Sequence, residues 1–168
     1  KVKEFVPDIL HLHDWQAALA AANVRYAAQG TRKPRTLLTV HNIAFQGQYS
    51  PAIFAELSLP PDAFSISGVE YYGDVGFLKG GLRTAWAVTT VSPTYAREIT
   101  GAEQGCGLDG LLRERRDRLH GILNGVDDAV WDPANDAHVQ PGYSADDLRG
   151  KAAAKARLQQ RQGLKAHP

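Results

Sequence analysis

Three histidines, an aspartate and two asparagines stand beside short apolar runs, in the sets His11-Leu12-His13-Asp14, His41-Asn42 and Asn124-Gly125. Imidazole, carboxylate and amide groups can bind a polyol, stabilise developing charge or hold a metal ion, so spacing has to discriminate. A metal site from His11, His13 and Asp14 is disfavoured, because strand alternation separates sequence neighbours and no third histidine lies at ligand spacing. Asp14 can also simply cap a helix starting at Trp15. Asn124-Gly125 is the dipeptide of a tight hairpin turn, but residues 127–133 offer no returning strand. His41-Asn42 leads into the polar loop Gln46-Gly47-Gln48-Tyr49 rather than an ordinary helix start, with a satisfied core histidine as the alternative. Lys79-Gly80-Gly81 has the composition of a phosphate loop but the spacing of neither glycine-rich nucleotide fingerprint, and it lies in a helical pattern. Ser92 lacks the glycines of a nucleophile elbow, and Cys106 sits in a loop between Gly105 and Gly107, so serine or cysteine nucleophile chemistry has no motif here.

The elements that must hold these groups are four β-rich runs, at 8–13, 36–41, 87–92 and 119–126. Each leads into a polar or glycine-containing corner and then a helical pattern, the mark of repeated βα units on a parallel sheet. Their interiors, such as Leu37-Leu38-Thr39-Val40 and Val88-Thr89-Thr90-Val91, are nearly continuous in β-forming residues, as strands covered on both faces require. The polar residues then fall at carboxyl ends: His11, His13 and Asp14 after the first run, His41 and Asn42 after the second, Ser92 after the third, Asn124 after the fourth. Ligands of open parallel sheets bind beyond those ends, so the four tips define one candidate site.

Helices are expected over 16–29, closed by Gly30, over 75–86, over 94–100 with Ser92 as N-cap and Pro93 at the first position, over 108–118, and over 144–162 with Ser144 as N-cap. Gly80 and Gly81 each cost the second of these about 1 kcal/mol relative to Ala, and close packing is the expected return. The last helix has Leu148 and Leu158 as its few large apolar anchors.

At 168 residues the chain is about one domain long. Its 19 basic and 18 acidic residues form no block of like charge, which leaves no electrostatic footprint for nucleic acid. One cysteine cannot make an internal disulfide, so a reducing, cytoplasmic setting is expected. No apolar run approaches the roughly 20 residues of a membrane span. The chain contains no Met and enters a strand-like run almost at once, from which a start within a domain is expected.

The strings themselves resemble the bacterial glycogen synthase and plant starch synthase family. Residues 7–17, Pro-Asp-Ile-Leu-His-Leu-His-Asp-Trp-Gln-Ala, are similar to its His-x-His-Asp-Trp segment, and residues 39–47 to its Thr-Val-His-Asn-x-x-x-Gln-Gly segment. Residues 77–82 (Phe-Leu-Lys-Gly-Gly-Leu), 88–99, 107–112 and 122–127, with Trp131-Asp132-Pro133 behind, match further family segments in order, and residues 151–164 match the helix before its second domain. Gly76 departs from the Asn or Ser common there, which bears on packing more than on chemistry.

That resemblance implies an α/β, Rossmann-like parallel sheet with helices on both faces, belonging to the N-terminal half of a two-Rossmann-domain (GT-B) retaining glucosyltransferase. Residues 1–143 would be the second half of the N-terminal catalytic domain, and 144–168 a helix and the start of the interdomain linker. The intact enzyme would move glucose from ADP-glucose to the non-reducing end of an α-1,4-glucan such as glycogen, with no metal or other cofactor, in the cytoplasm, or in a plastid for a plant protein. His41 would contact the transferred glucose and stabilise its oxocarbenium-like transition state, and Asp14 would lie near the reacting sugar. Asn124 would touch the donor, and His13 and Asn42 would join the substrate contacts. Retention by front-face attack, assisted by the leaving phosphate, requires no protein nucleophile. The donor-binding Lys-x-Gly-Gly-Leu motif and the second domain would lie outside this segment, so the segment alone is expected to transfer no glucose. A transferase using another nucleotide sugar, such as UDP-glucose, and a stand-alone carbohydrate- or nucleotide-binding domain are the alternatives. Neither partnership with nucleic acid nor with membrane is expected.

Overall fold

The computed structural model describes Phe5 and residues 7–27 and 33–165. It divides into two compact units, Lys1–Asn124 and Gly125–Pro168. The expected helix cap at Gly30 lies outside the described residues.

In the first unit, β1 (Ile9–His13), β2 (Arg35–Val40), β6 (Ala87–Thr90) and β7 (Leu119–Gly121) form one sheet in the order β1-β2-β6-β7, and every neighbouring pair is parallel. The four runs read from the sequence are therefore the four strands, in a parallel sheet with flanking helices. The fourth is shorter than expected. Ile122 still donates its N–H to Thr90 O, but residues 122–127 carry no strand, so Asn124-Gly125 turns no hairpin.

Register sorts the side chains. Leu12, Leu38, Val88 and Leu119 are level with one another on one face, and the first three are buried in the main core. His13, Thr39, Thr89 and His120 are level on the other face. The core is closed by α1 (Asp14–Tyr26), α2 (Phe77–Thr84) and α4 (Asp109–Glu114), through Ala18, Ala21, Leu78, Leu82 and Leu112.

The glycines of α2 do return close packing. A Cβ on Gly81 would stand 2.6 Å from Ala18 Cβ and 2.8 Å from the Ala18 carbonyl oxygen, and one on Gly80 would stand 2.8 Å from Val69 Cγ1. Lys79, between Gly80 and Leu78, is no phosphate ligand in this fold. Its ammonium is buried and donates to the carbonyls of Ile66 at 2.6 Å and Gly68 at 2.9 Å, with Ser65 O at 3.5 Å, and so ties down the loop before β4 (Glu70–Tyr71).

Burial, opposed by Glu70 and helped by Arg83, pushes the Lys79 pKa down to about 8. Lys79→Met leaves those carbonyls without their donor and is expected to cost about 2 kcal/mol in chemical unfolding. Between about pH 8 and the ordinary lysine value of 10.5, the unfolded chain holds a proton that the folded lysine has released. Raising the pH through that window therefore favours the folded state. The stability difference between wild type and Lys79→Met should widen from pH 8 to pH 10, and a flat difference would remove the assigned burial cost.

Inserted between β2 and α2 is a small antiparallel sheet of β3 (Gln48–Tyr49), β5 (Asp74–Gly76) and β4, in the order β3-β5-β4. Helix α3 (Pro93–Glu98) begins as expected: Ser92 Oγ accepts from Tyr95 N at 2.8 Å, and Pro93 takes the first position. Arg115 closes α2 by donating to Leu82 O and, at 2.6 Å, to Ala85 O, two carbonyls that the helix end leaves without an N–H.

The second unit contains α5 (Arg149–Arg161). This helix starts later than expected. Ser144 Oγ accepts from Asp147 N at 3.1 Å in a separate turn, and Asp147 Oδ1 then accepts from Arg149 N at 3.1 Å, so the aspartate rather than the serine serves the first turn. Leu148 and Leu158, expected as anchors, are 56% and 60% exposed. Among the described residues, no helix is long and apolar enough to cross a membrane.

Candidate functional site

Parallel pairing brings the ends of β1 and β2 together, and three of the expected site residues meet there. His13 is the last residue of β1, Asp14 the first of α1, and His41 the first residue beyond β2. Asp14 has φ +53°, a left-handed conformation that costs a non-glycine residue on the order of 1 kcal/mol. The carboxylate shows what this conformation accomplishes: its Oδ1 accepts the backbone N–H of His41 at 2.7 Å. Asp14 therefore does not cap its own helix, the simpler role open to it in the sequence. It fixes the main chain of the neighbouring strand tip.

The imidazoles of the same two tips touch. His13 Nδ1 and His41 Nε2 are 3.1 Å apart, and their ring centroids are separated by 5.4 Å. His11 stacks against His13 at 4.3 Å, and its Nε2 lies 2.7 Å from Thr39 Oγ1, itself 2.6 Å from Thr89 Oγ1. Burial first, and then the neighbouring His13 and His41 rings, hold the His11 pKa below the ordinary histidine value. Among the described residues, no group of three or more His, Cys, Asp or Glu side chains is arranged to hold a metal ion.

Asn42 follows His41, and its Oδ1 accepts Ala44 N at 3.0 Å, which shapes the turn leaving β2. Asn124 lies three residues past β7 at the same carboxyl end of the sheet, and is exposed. So the β1 and β2 residues form one contact network, while Asn124 shares the rim with them.

The loop beyond His41 is held by long-range contacts that the sequence pattern does not reveal. Ile43, 2% exposed, donates its N–H to Tyr95 Oη at 3.1 Å, and Gln46 Nε2 donates to Cys106 O at 2.8 Å. Gly47 has φ +60°, and a Cβ there would come within 2.3 Å of the Trp15 ring. Trp15 thus packs directly on the loop backbone, beside Tyr49 and Phe77. A signal for part of this was present: Thr39 and His41 alternate along one strand as His11 and His13 do along the next, so pairing the runs in register aligns all four on one face.

This polar rim combines two imidazoles, a carboxylate fixing a main-chain amide, and an open side at the carboxyl ends of parallel strands. It can orient hydroxyl groups and present dipoles to developing positive charge, and it displays no nucleophile activated by a base.

The chain is similar to known proteins over nearly its whole length. A family model described as the starch synthase catalytic domain matches residues 1–114. A glycogen synthase of Methylocella silvestris is 53% identical over 98% of this chain and 34% of its own length. Glycogen synthase 1 of Rhizobium meliloti is 51% identical over 99% of this chain and 34% of its length. The chain thus spans about a third of the length of the relatives it matches. Among solved structures, the catalytic domain of starch synthase IV from Arabidopsis thaliana, bound to ADP and acarbose, superposes with a TM-score of 0.66 at 36% identity, covering 96% of this chain and 34% of that one.

Proposed function

Since the chain belongs to the starch synthase catalytic-domain family, we propose that it supplies one wall of the active site of an enzyme that transfers glucose from ADP-glucose to the non-reducing end of an α-1,4-glucan with retention. The observation that carries this reading is the tie between the β1 and β2 tips, where Asp14 grips the His41 amide and His13 meets the His41 ring. In this reading His41 faces the transferred glucose and, with the backbone it is fixed to, offers dipoles to the oxocarbenium-like transition state. Asp14 lies at the reacting sugar, and Asn124 and Asn42 complete the substrate contacts on this wall.

The transfer breaks the bond between glucose C1 and the β-phosphate oxygen and forms one from C1 to the acceptor O4. The acceptor hydroxyl proton passes to the departing phosphate on the same face. That course needs positioned polar groups rather than a protein nucleophile, and the paired His13 and His41 rings with the Asp14-bound amide are such groups.

The test is incorporation of labelled glucose into glycogen. The full-length protein carrying this segment is expected to use ADP-glucose in preference to UDP-glucose, and the 168-residue chain alone to incorporate none. Turnover by the isolated chain, or a preference for UDP-glucose in the full-length protein, would contradict the reading. So would ADP-glucose binding without turnover by the full-length protein, which would make it a binding module.

A further inference from the structure

We propose that His13 is a positioning residue for His41: through its Nδ1 it fixes the ring orientation and the tautomer of His41, and the His11 ring, pinned by Thr39, backs it. This rests on the reading of His41 as the group that faces the transferred sugar, and it replaces direct substrate contact as the role of His13.

The geometry begins with the 3.1 Å separation of His13 Nδ1 and His41 Nε2. Two facing ring nitrogens at that distance share one proton: one donates and the other accepts. If His13 donates, His41 carries its own proton on Nδ1. If His41 donates, its Nδ1 is bare. In both cases the two nitrogens of His41 become inequivalent and a ring flip costs the bond, so the face that His41 presents is set by its neighbour.

The second element is that His41 is gripped twice from the end of one strand. Asp14 Oδ1 takes its main-chain N–H at 2.7 Å, and His13, the preceding residue, takes its ring. Asp14 adopts φ +53° at the strand-to-helix junction. There a single corner aims one side chain at the backbone and the other at the ring of the same residue.

The third element is that His13 is itself held. Its ring lies 4.3 Å from that of His11 at an interplanar angle of 36°. His11 Nε2 meets Thr39 Oγ1 at 2.7 Å, and Thr39 Oγ1 meets Thr89 Oγ1 at 2.6 Å, where Thr89 is 7% exposed in the central strand β6. A row of polar contacts therefore runs from β6 across β2 to β1 and out to the β2 tip. A histidine that served only to touch substrate would need no such backing.

Kinetics of the full-length protein carrying this segment separate the roles, using His13→Ala, His13→Asn and His41→Ala. Asparagine places a side-chain amide near the position of Nδ1, so it can keep the hydrogen bond while losing the ring. His13→Ala is expected to lower kcat about tenfold with KM changed less than about twofold, the pattern of a misaligned rather than a missing contact, and His13→Asn to recover most of that loss. A rise in KM at unchanged kcat for His13→Ala, or a His13→Asn variant as slow as His13→Ala, would overturn the proposal. If His41→Ala alone turns over at the wild-type rate, the reading of His41 fails first. If His41→Ala is slow while His13→Ala is as fast as wild type, the positioning role alone fails. A measurement independent of any variant is nitrogen NMR of the histidine-labelled wild-type protein. A scalar coupling between His13 Nδ1 and His41 Nε2 across the shared proton is expected, and its absence with both signals resolved would overturn the proposal even if His13→Ala does not fold.

Discussion

Replacing His41 by alanine in the full-length protein that carries this segment is expected to lower kcat by about a hundred- to a thousandfold, the range seen when one preorganised dipole is removed from developing charge. The size follows from how the residue is held. Its main-chain N–H is bound by Asp14 and its ring by His13, so its orientation is set before substrate arrives. Alanine keeps the Asp14 bond, which involves only the backbone, and the fold should survive with its melting temperature little changed. Activity lost without stability lost is therefore the signature, read by glucose incorporation beside thermal unfolding. A wild-type rate would remove His41 from the reaction.

Gly81→Val is expected to destabilise the first unit by about 3 kcal/mol, at the upper end of ordinary overpacking. A side chain there meets the Ala18 Cβ at 2.6 Å and the Ala18 carbonyl oxygen at 2.8 Å, and a backbone oxygen inside a helix cannot rotate away. Relief requires α1 to shift, and α1 begins at Asp14. The same substitution should consequently disturb the carboxylate that fixes His41. Gly110 provides the contrast: it lies in α4, where an added Cβ meets only Arg113 Nη2 at 3.8 Å. Gly110→Ala should be neutral or stabilising, since alanine favours a helix by about 1 kcal/mol over glycine. Chemical denaturation measures both, and equal stability for Gly81→Val and wild type would show that α1 and α2 pack less closely than described.

The parts of this architecture legible in the sequence are those governed by local chemistry. The run Leu37-Leu38-Thr39-Val40 reads as a strand because almost every residue favours the pleated state, and Ser92-Pro93 reads as a helix start because an N-cap hydroxyl and a fixed φ act within one turn. Parallel order then followed from the alternation of strands with helical patterns, and with it the shared rim of His13, Asp14, His41 and Asn124. What escaped was small or long-range. Strands β3, β4 and β5 are two or three residues each, too short to display a period of two. The partner of Asp14 is 27 positions away, so a residue with every local mark of a helix cap is committed elsewhere. Close packing by Gly80 and Gly81 was legible from their place in a helical pattern, whereas only the fold shows that the Lys79 ammonium ties a loop. Ser144 lost the start of α5 to Asp147 because its Oγ is engaged by Asp147 N in the turn before the helix, while the Asp147 carboxylate accepts from both the main chain and the guanidinium of Arg149.

The most direct test of the central claim is a crystal structure of the full-length protein carrying this segment, with ADP and a maltooligosaccharide bound. A sugar ring within hydrogen-bond reach of His41 is expected, with Asp14 still holding the His41 amide and His13 still on its ring. A glucan and nucleotide seated together elsewhere, with the ends of β1 and β2 facing only solvent, would contradict it.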